Sequence, residues 1–223
     1  MMTRSDFCRK IWKGAAVAVL AVSAFATPAK ASPVTLFSTG VDDLGVQLPA
    51  GANDSHWSIV APAGPGVVVT DQSPAGGNYF QSPASKWIWV SADGTPENGT
   101  YTFRQTFDLT GFNPATAVIT GDWGVDNSAE ILLNGATPTG SGALDLPFGF
   151  PAFQQLNGFQ ITGGFVAGIN TLDFVVTNSG GPGALNVTNL TATAAVPEPG
   201  SLALLGLGVI GGVIRRRRKT LAV

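Results

Sequence analysis

The chain has 223 residues, with 12 Lys and Arg against 14 Asp and Glu, one His and one Cys, for a formal charge of −2. That near-balance conceals a segregation: ten of the twelve cations lie in the terminal segments, so that Lys86 and Arg104 alone face twelve carboxylates between Ser32 and Ala195, a body charge of −10. A phosphate-binding surface needs the opposite sign, which excludes nucleic acid as a partner, and a lone Cys8 excludes disulfide staples and cysteine zinc sites.

From the N-terminus, Arg4, Arg9, Lys10 and Lys13 precede the apolar run Gly14–Ala26, the charged-then-apolar order of a secretory signal peptide. Ala29-Lys30-Ala31 offers small residues at a cleavage point that leaves Ser32 at the start of a polar body, so residues 1–31 are expected to be removed on export, Cys8 with them. An uncleaved anchor is disfavoured because the run is shorter than the ~20 residues of a membrane span.

Between residues 32 and 195 no apolar 3.6-residue repeat lasts three turns, whereas short Val, Ile, Phe and Thr runs broken by Gly, Pro and Asn recur throughout. Strands are expected at Trp57–Val60, Val67–Thr70, Trp87–Val90, Tyr101–Leu109, Ala117–Thr120, Glu130–Leu133, Phe159–Thr162, Thr171–Thr177 and Leu185–Thr193. In YTFRQTFDL, Tyr101, Phe103, Gln105 and Phe107 fall on one face and Thr102, Arg104, Thr106 and Asp108 on the other. Asn98-Gly99, Asn134-Gly135 and Asn157-Gly158 supply the positive-φ pairs of tight turns, and Gly180-Gly181-Pro182-Gly183 marks a further reversal. The pattern predicts a single all-β domain, an antiparallel jelly-roll-like β-sandwich.

TYTFRQTFDLTGFNPATAVITGDWGVDNSAEILLNG with FVAGINTLDFVVTNSGGPGALNV resembles the galactose-binding-domain-like jelly rolls of exported bacterial proteins. In that resemblance Asp126-Asn127 and Asn134-Gly135 match a recurrent loop unit. It implies a fold and names no ligand, since sandwiches host many functions.

Catalytic chemistry has little to draw on. His56 is the only histidine, no Gly-x-Ser-x-Gly elbow occurs, and beside Trp57 the ring reads as a packed or surface residue; the protein is expected not to be an enzyme. Asp122, Asp126, Asn127 and Glu130 offer hard oxygens within nine residues, a candidate calcium site at Asp122, Asp126 and Glu130, although loop capping explains such residues as well. A glycan site needs aromatic faces beside amides and carboxylates, which makes Trp87, Trp89, Trp123, Asp126 and Asn127 its candidates. Trp87 and Trp89, two apart, form either an aromatic platform or part of a buried strand, and the area of tryptophan favours burial.

The chain closes on PEPGSLALLGLGVIGGVIRRRRK. Leu202–Ile214 would span about 20 Å as a helix against a hydrocarbon core of about 30 Å, and Arg215, Arg216, Arg217, Arg218 and Lys219 form a stop-transfer run held on the cytoplasmic side. Pro197 and Pro199 keep Glu198 extended, the form a processing enzyme can grip. Motif, glycine-bearing helix and basic stop over residues 196–223 are similar to the PEP-CTERM sorting signal. The resemblance implies recognition by a membrane-embedded exosortase of a Gram-negative bacterium, removal of the tail, and release to the cell surface or medium, often beside exopolysaccharide. The expected function is therefore an exported, exosortase-processed surface or matrix protein without catalytic activity. The alternative is a carbohydrate-binding module associated with exopolysaccharide.

Overall fold

In the computed structural model the described residues are 30–62, 67–70, 78–94, 98–149 and 152–197. The signal peptide other than its last two residues, Glu198, Pro199, the short apolar helix and Arg215–Lys219 lie outside them. Ala31–Val196 forms a compact unit that contains both sheets and the whole described core, so it holds within itself the interactions needed to fold.

Among the described residues twelve strands run in chain order: β1 Ala31–Val34, β2 Ser58–Ala61, β3 Val68–Val69, β4 Ile88–Trp89, β5 Gly99–Asp108, β6 Asn113–Asp126, β7 Ser128–Leu133, β8 Thr139–Gly142, β9 Asp145–Leu146, β10 Asn157–Gly163, β11 Ile169–Asn178 and β12 Ala184–Ala195. They build two antiparallel sheets. One has the order β3-β4-β12-β6-β10-β8 with β1 also paired to β12; the other has the order β2-β5-β11-β7-β9. From β5 onward each strand lies in the opposite sheet from its predecessor, so the chain winds around the core as a jelly roll does and the expected antiparallel sandwich is what forms.

This winding corrects part of the turn reading. Asn134 and Gly135, at φ 54° and 77°, do make a tight two-residue turn closed by the Leu133–Ala136 bridge, but β7 and β8 on its two sides belong to different sheets. Gly180 and Gly181 likewise carry the chain from β11 across to β12. Asn157-Gly158 is not a turn: both residues open β10 and pair with Trp123 and Asp122. Gly99 is the first residue of β5 without a positive φ. An Asn-Gly pair permits a tight turn without imposing one, and a long partner strand outcompetes it.

Alternation in β5 places Tyr101, Phe103, Gln105 and Phe107 inward as expected. Buried Gln105 is tolerated because its carboxamide both accepts from Phe37 N (2.8 Å) and donates to Phe37 O (3.0 Å), pinning the segment after β1. The core between the sheets centres on Phe174 of β11. Trp123, Trp57 and Phe159 meet its ring edge-on at centroid distances of 5.3, 5.6 and 6.2 Å. Strands β1, β8 and β9 carried too little signal to be expected: β8 is TGSG, exposed throughout, and β9 has two residues.

Candidate functional site

The tryptophans proposed for a glycan platform are core residues. Trp87, Trp89 and Trp123 are 3%, 0% and 0% exposed. Trp89 packs on Tyr101 and Phe103 in the main core, while Trp87 belongs to a second small cluster with Tyr79, Phe153 and Ala184, so the two do not share a face. The two-residue β4 is too short to carry alternation out to Trp87, which instead donates from its indole to Phe80 O (2.8 Å).

Asp126 and Asn127 form the corner where β6 of one sheet hands over to β7 of the other. Asp126 is buried; its carboxylate accepts a hydrogen bond from the Tyr79 hydroxyl and one from Asn127 Nδ2 (2.6 Å), and Asn127 Oδ1 accepts from Ser179 N (2.7 Å). Side chains spent in this way brace the corner. Asp122 points instead to the outer face, where it accepts from Asn189, and Glu130 sits across from Asp145 on the other sheet. The candidate calcium ligands are therefore dispersed, and among the described residues no three His, Cys, Asp or Glu side chains come together to hold a metal.

Burial raises the Asp126 carboxyl above its ordinary value of 3.8 against the pull of the Tyr79 and Asn127 hydrogen bonds, and burial followed by the Asp126 contact pushes the Tyr79 hydroxyl strongly up. A carboxyl raised by folding binds its proton more tightly folded than unfolded. Its stabilising contribution is complete below 3.8 and is lost as pH rises through the raised folded value. Equilibrium urea melts from about pH 3 to about pH 7 are expected to show wild-type stability falling relative to Asp126→Asn, which keeps an acceptor for Tyr79 but cannot ionise; a constant difference between the two would refute the assignment.

His56 is a packed residue. Its ring stacks on Phe37 at 3.7 Å, with Nδ1 3.1 Å from Val41 O and Nε2 2.9 Å from Asp43 Oδ1. Buried Asp54 accepts from Gly40 N (2.6 Å) and His56 N (3.0 Å), and burial raises its carboxyl despite these bonds. Both imidazole nitrogens face acceptors and neither faces a hydroxyl. A groove of about 480 Å³ beside the ring is lined by Val34, Thr35, Phe37, His56, Thr106 and Asp108.

The arrangement that sequence reasoning missed lies on the outer face of the larger sheet. A trough of about 450 Å³ crosses β8, β10, β6 and β12 and is lined by Ser141, Gly158, Gln160, Thr120, Asp122 and Asn189. Registers place Gly158 beside Asp122 and Gln160 between Thr120 and Ser141. On β12 a bulge intervenes: Thr188 pairs with Asp122 and Thr191 with Thr120, three steps against two. Asn189, at φ 52°, is held in the left-handed region there and donates from Nδ2 to Asp122 Oδ2 at 2.9 Å. One sequence signal marked it. In NVTNLTATA the apolar residues Val187, Leu190 and Ala192 step by three and then two, a slip in the strand period.

The PEP-CTERM protein-sorting motif matches residues 195–219. No curated protein matches the chain. Among solved structures, similarity is found to the apo form of a cyclase from Fischerella sp. (13% identity over 76% of this chain and 98% of that one, TM-score 0.43). It is also found to a cyclase from Fischerella sp. TAU (15%, 76% and 100%, TM-score 0.43) and to the Stig cyclase Fisc from Fischerella sp. TAU in complex with (3Z)-3-(1-methyl-2-pyrrolidinylidene)-3H-indole (15%, 75% and 100%, TM-score 0.42). Nothing about activity or ligand transfers to this chain at such values. The Pro-Glu-Pro sequence, the apolar run and the basic stop agree with the matched motif, and the chain carries a PEP-CTERM sorting signal at its C-terminal end.

Proposed function

We propose that the protein is an exported cell-surface or matrix component without catalytic activity, delivered by its signal peptide and released from the inner membrane when an exosortase cuts the C-terminal signal. The sorting motif at 195–219 carries this reading. The fold suits it. The last strand ends at Ala195, paired with Asn113 on one side and flanked on the other by the Ser32–Ala194 pair, and the Pro-Glu-Pro motif starts two residues on, so a cut near the motif removes no ladder bond and no core residue. A His56 ring engaged by Val41 and Asp43 supports a non-catalytic body.

Intact-mass measurement on protein from the native host should show loss of everything beyond a point near Pro197–Pro199. Expression in a host without an exosortase should leave the full-length, membrane-retained chain. Glu198→Ala should block processing although the apolar run is untouched, whereas a plain tail anchor would behave identically with either residue. Native mature protein that keeps Arg215–Lys219 in the inner membrane would overturn the proposal.

The second reading, a module that binds exopolysaccharide, cannot use the buried tryptophans. The trough on the outer face gives it a different surface.

A further inference from the structure

We propose that the trough over β8, β10, β6 and β12 is a binding site for a neutral polyhydroxylated ligand, an uncharged glycan segment, held by Asp122, Asn189 and Gln160. This rests on the carbohydrate-binding reading and gives that reading its residues.

Three features carry the assignment. The first is the donor and acceptor set. Asp122 supplies only acceptors, Asn189 and Gln160 supply both donors and acceptors, and Thr120 and Ser141 add hydroxyls, which together match vicinal hydroxyl groups that each donate and accept. Among the described residues no cation lines the trough, and the body carries −10, which rejects acidic ligands; its wall residues are polar and Phe159 beneath is 4% exposed, which gives an apolar ligand little to cover.

The second is the backbone at Asn189. A non-glycine residue in the left-handed region at a bulge is an uncommon conformation, and here its result is specific: the extra residue lets Leu190 return to the core while the Asn189 carboxamide turns outward onto Asp122. The half-buried carboxylate and the exposed carboxamide are thereby pre-oriented, which lowers the ordering cost of binding.

The third is the glycine floor. Gly158 lies in regular strand without a positive φ, so no backbone need explains it, and glycine weakens a strand interior. A Cβ there would come 3.3 Å from Asp122 Oδ1, so any larger side chain would crowd the carboxylate. The missing side chain leaves room for a ligand.

The test uses Ala31–Val196 against an immobilised panel of neutral and uronic-acid-bearing oligosaccharides, with calorimetry on the best binder. Binding to a neutral glycan is expected. Asp122→Asn and Asn189→Gly should each weaken it about tenfold or more, the effect of losing a hydrogen bond to or beside a charged group. Asn189→Gly keeps the left-handed backbone. Gly158→Val, whose side chain fills the trough and displaces the Asp122 carboxylate, should abolish binding in a variant that a thermal melt shows to be folded. Amide shifts of Gly158, Thr120 and Gln160 on titration with the bound glycan provide a reading that needs no variant. Glycan binding unaffected by all three substitutions, with shifts elsewhere, would overturn this site and leave the carbohydrate reading standing. Binding confined to uronic acids would overturn the ligand class, and no glycan bound at all would overturn both.

Discussion

Trp123→Ala is expected to lower the stability of the sandwich by about 3–5 kcal/mol, measured by equilibrium urea denaturation of Ala31–Val196. The indole is fully buried, projects from β6 onto Phe174 of the opposite sheet at 5.3 Å, and donates from Nε1 to Ala143 O at 2.7 Å. Truncation removes one of the aromatic contacts that join the sheets and leaves both a cavity and an orphaned carbonyl. Trp123→Phe should cost less, because a ring remains to fill the space and the chief loss is one buried hydrogen bond, about 1–3 kcal/mol. A Trp123→Ala protein with wild-type stability would refute the core assignment. The same result decides how glycan assays are read: binding lost in this variant reports unfolding, whereas binding lost in Asp122→Asn reports the trough.

What the sequence disclosed and what it hid divide along a physical line. The faces of YTFRQTFDL were legible because period-2 alternation is written in consecutive residues, and the sorting signal because its three parts are contiguous. The trough was not legible, since Ser141, Gln160, Asp122 and Asn189 come from four strands brought side by side only by a winding that alternates between sheets. Asp126 and Asn127 misled for a related reason. An acidic loop pair looks like a ligand set until Tyr79, 47 residues earlier, is found donating to it. The tryptophans misled least, their area already pointing to burial.

Arg104→Ala is expected to cost about 3 kcal/mol, near the low end for breaking a buried ion pair because the arginine side chain is one-third exposed. Arg104 and Asp173 face each other in the β5–β11 register; Nε donates to Oδ1 at 2.6 Å and Nη2 to Oδ2 at 2.7 Å. The carboxylate is only 3% exposed, on a body where Lys86 is the only other cation. Without the guanidinium, Asp173 remains in a desolvated position with no neighbouring positive charge to replace it. Arg104→Lys should recover part of the loss, since an ammonium supplies the charge but not the paired fork. The decisive comparison is Arg104→Met with Asp173→Leu. If the penalty of the single change is the stranded charge rather than a lost attraction, the double variant, which removes both charges and fills their space, should melt close to the wild type or above it. A double variant as unstable as Arg104→Ala would show instead that the pair itself holds β5 against β11.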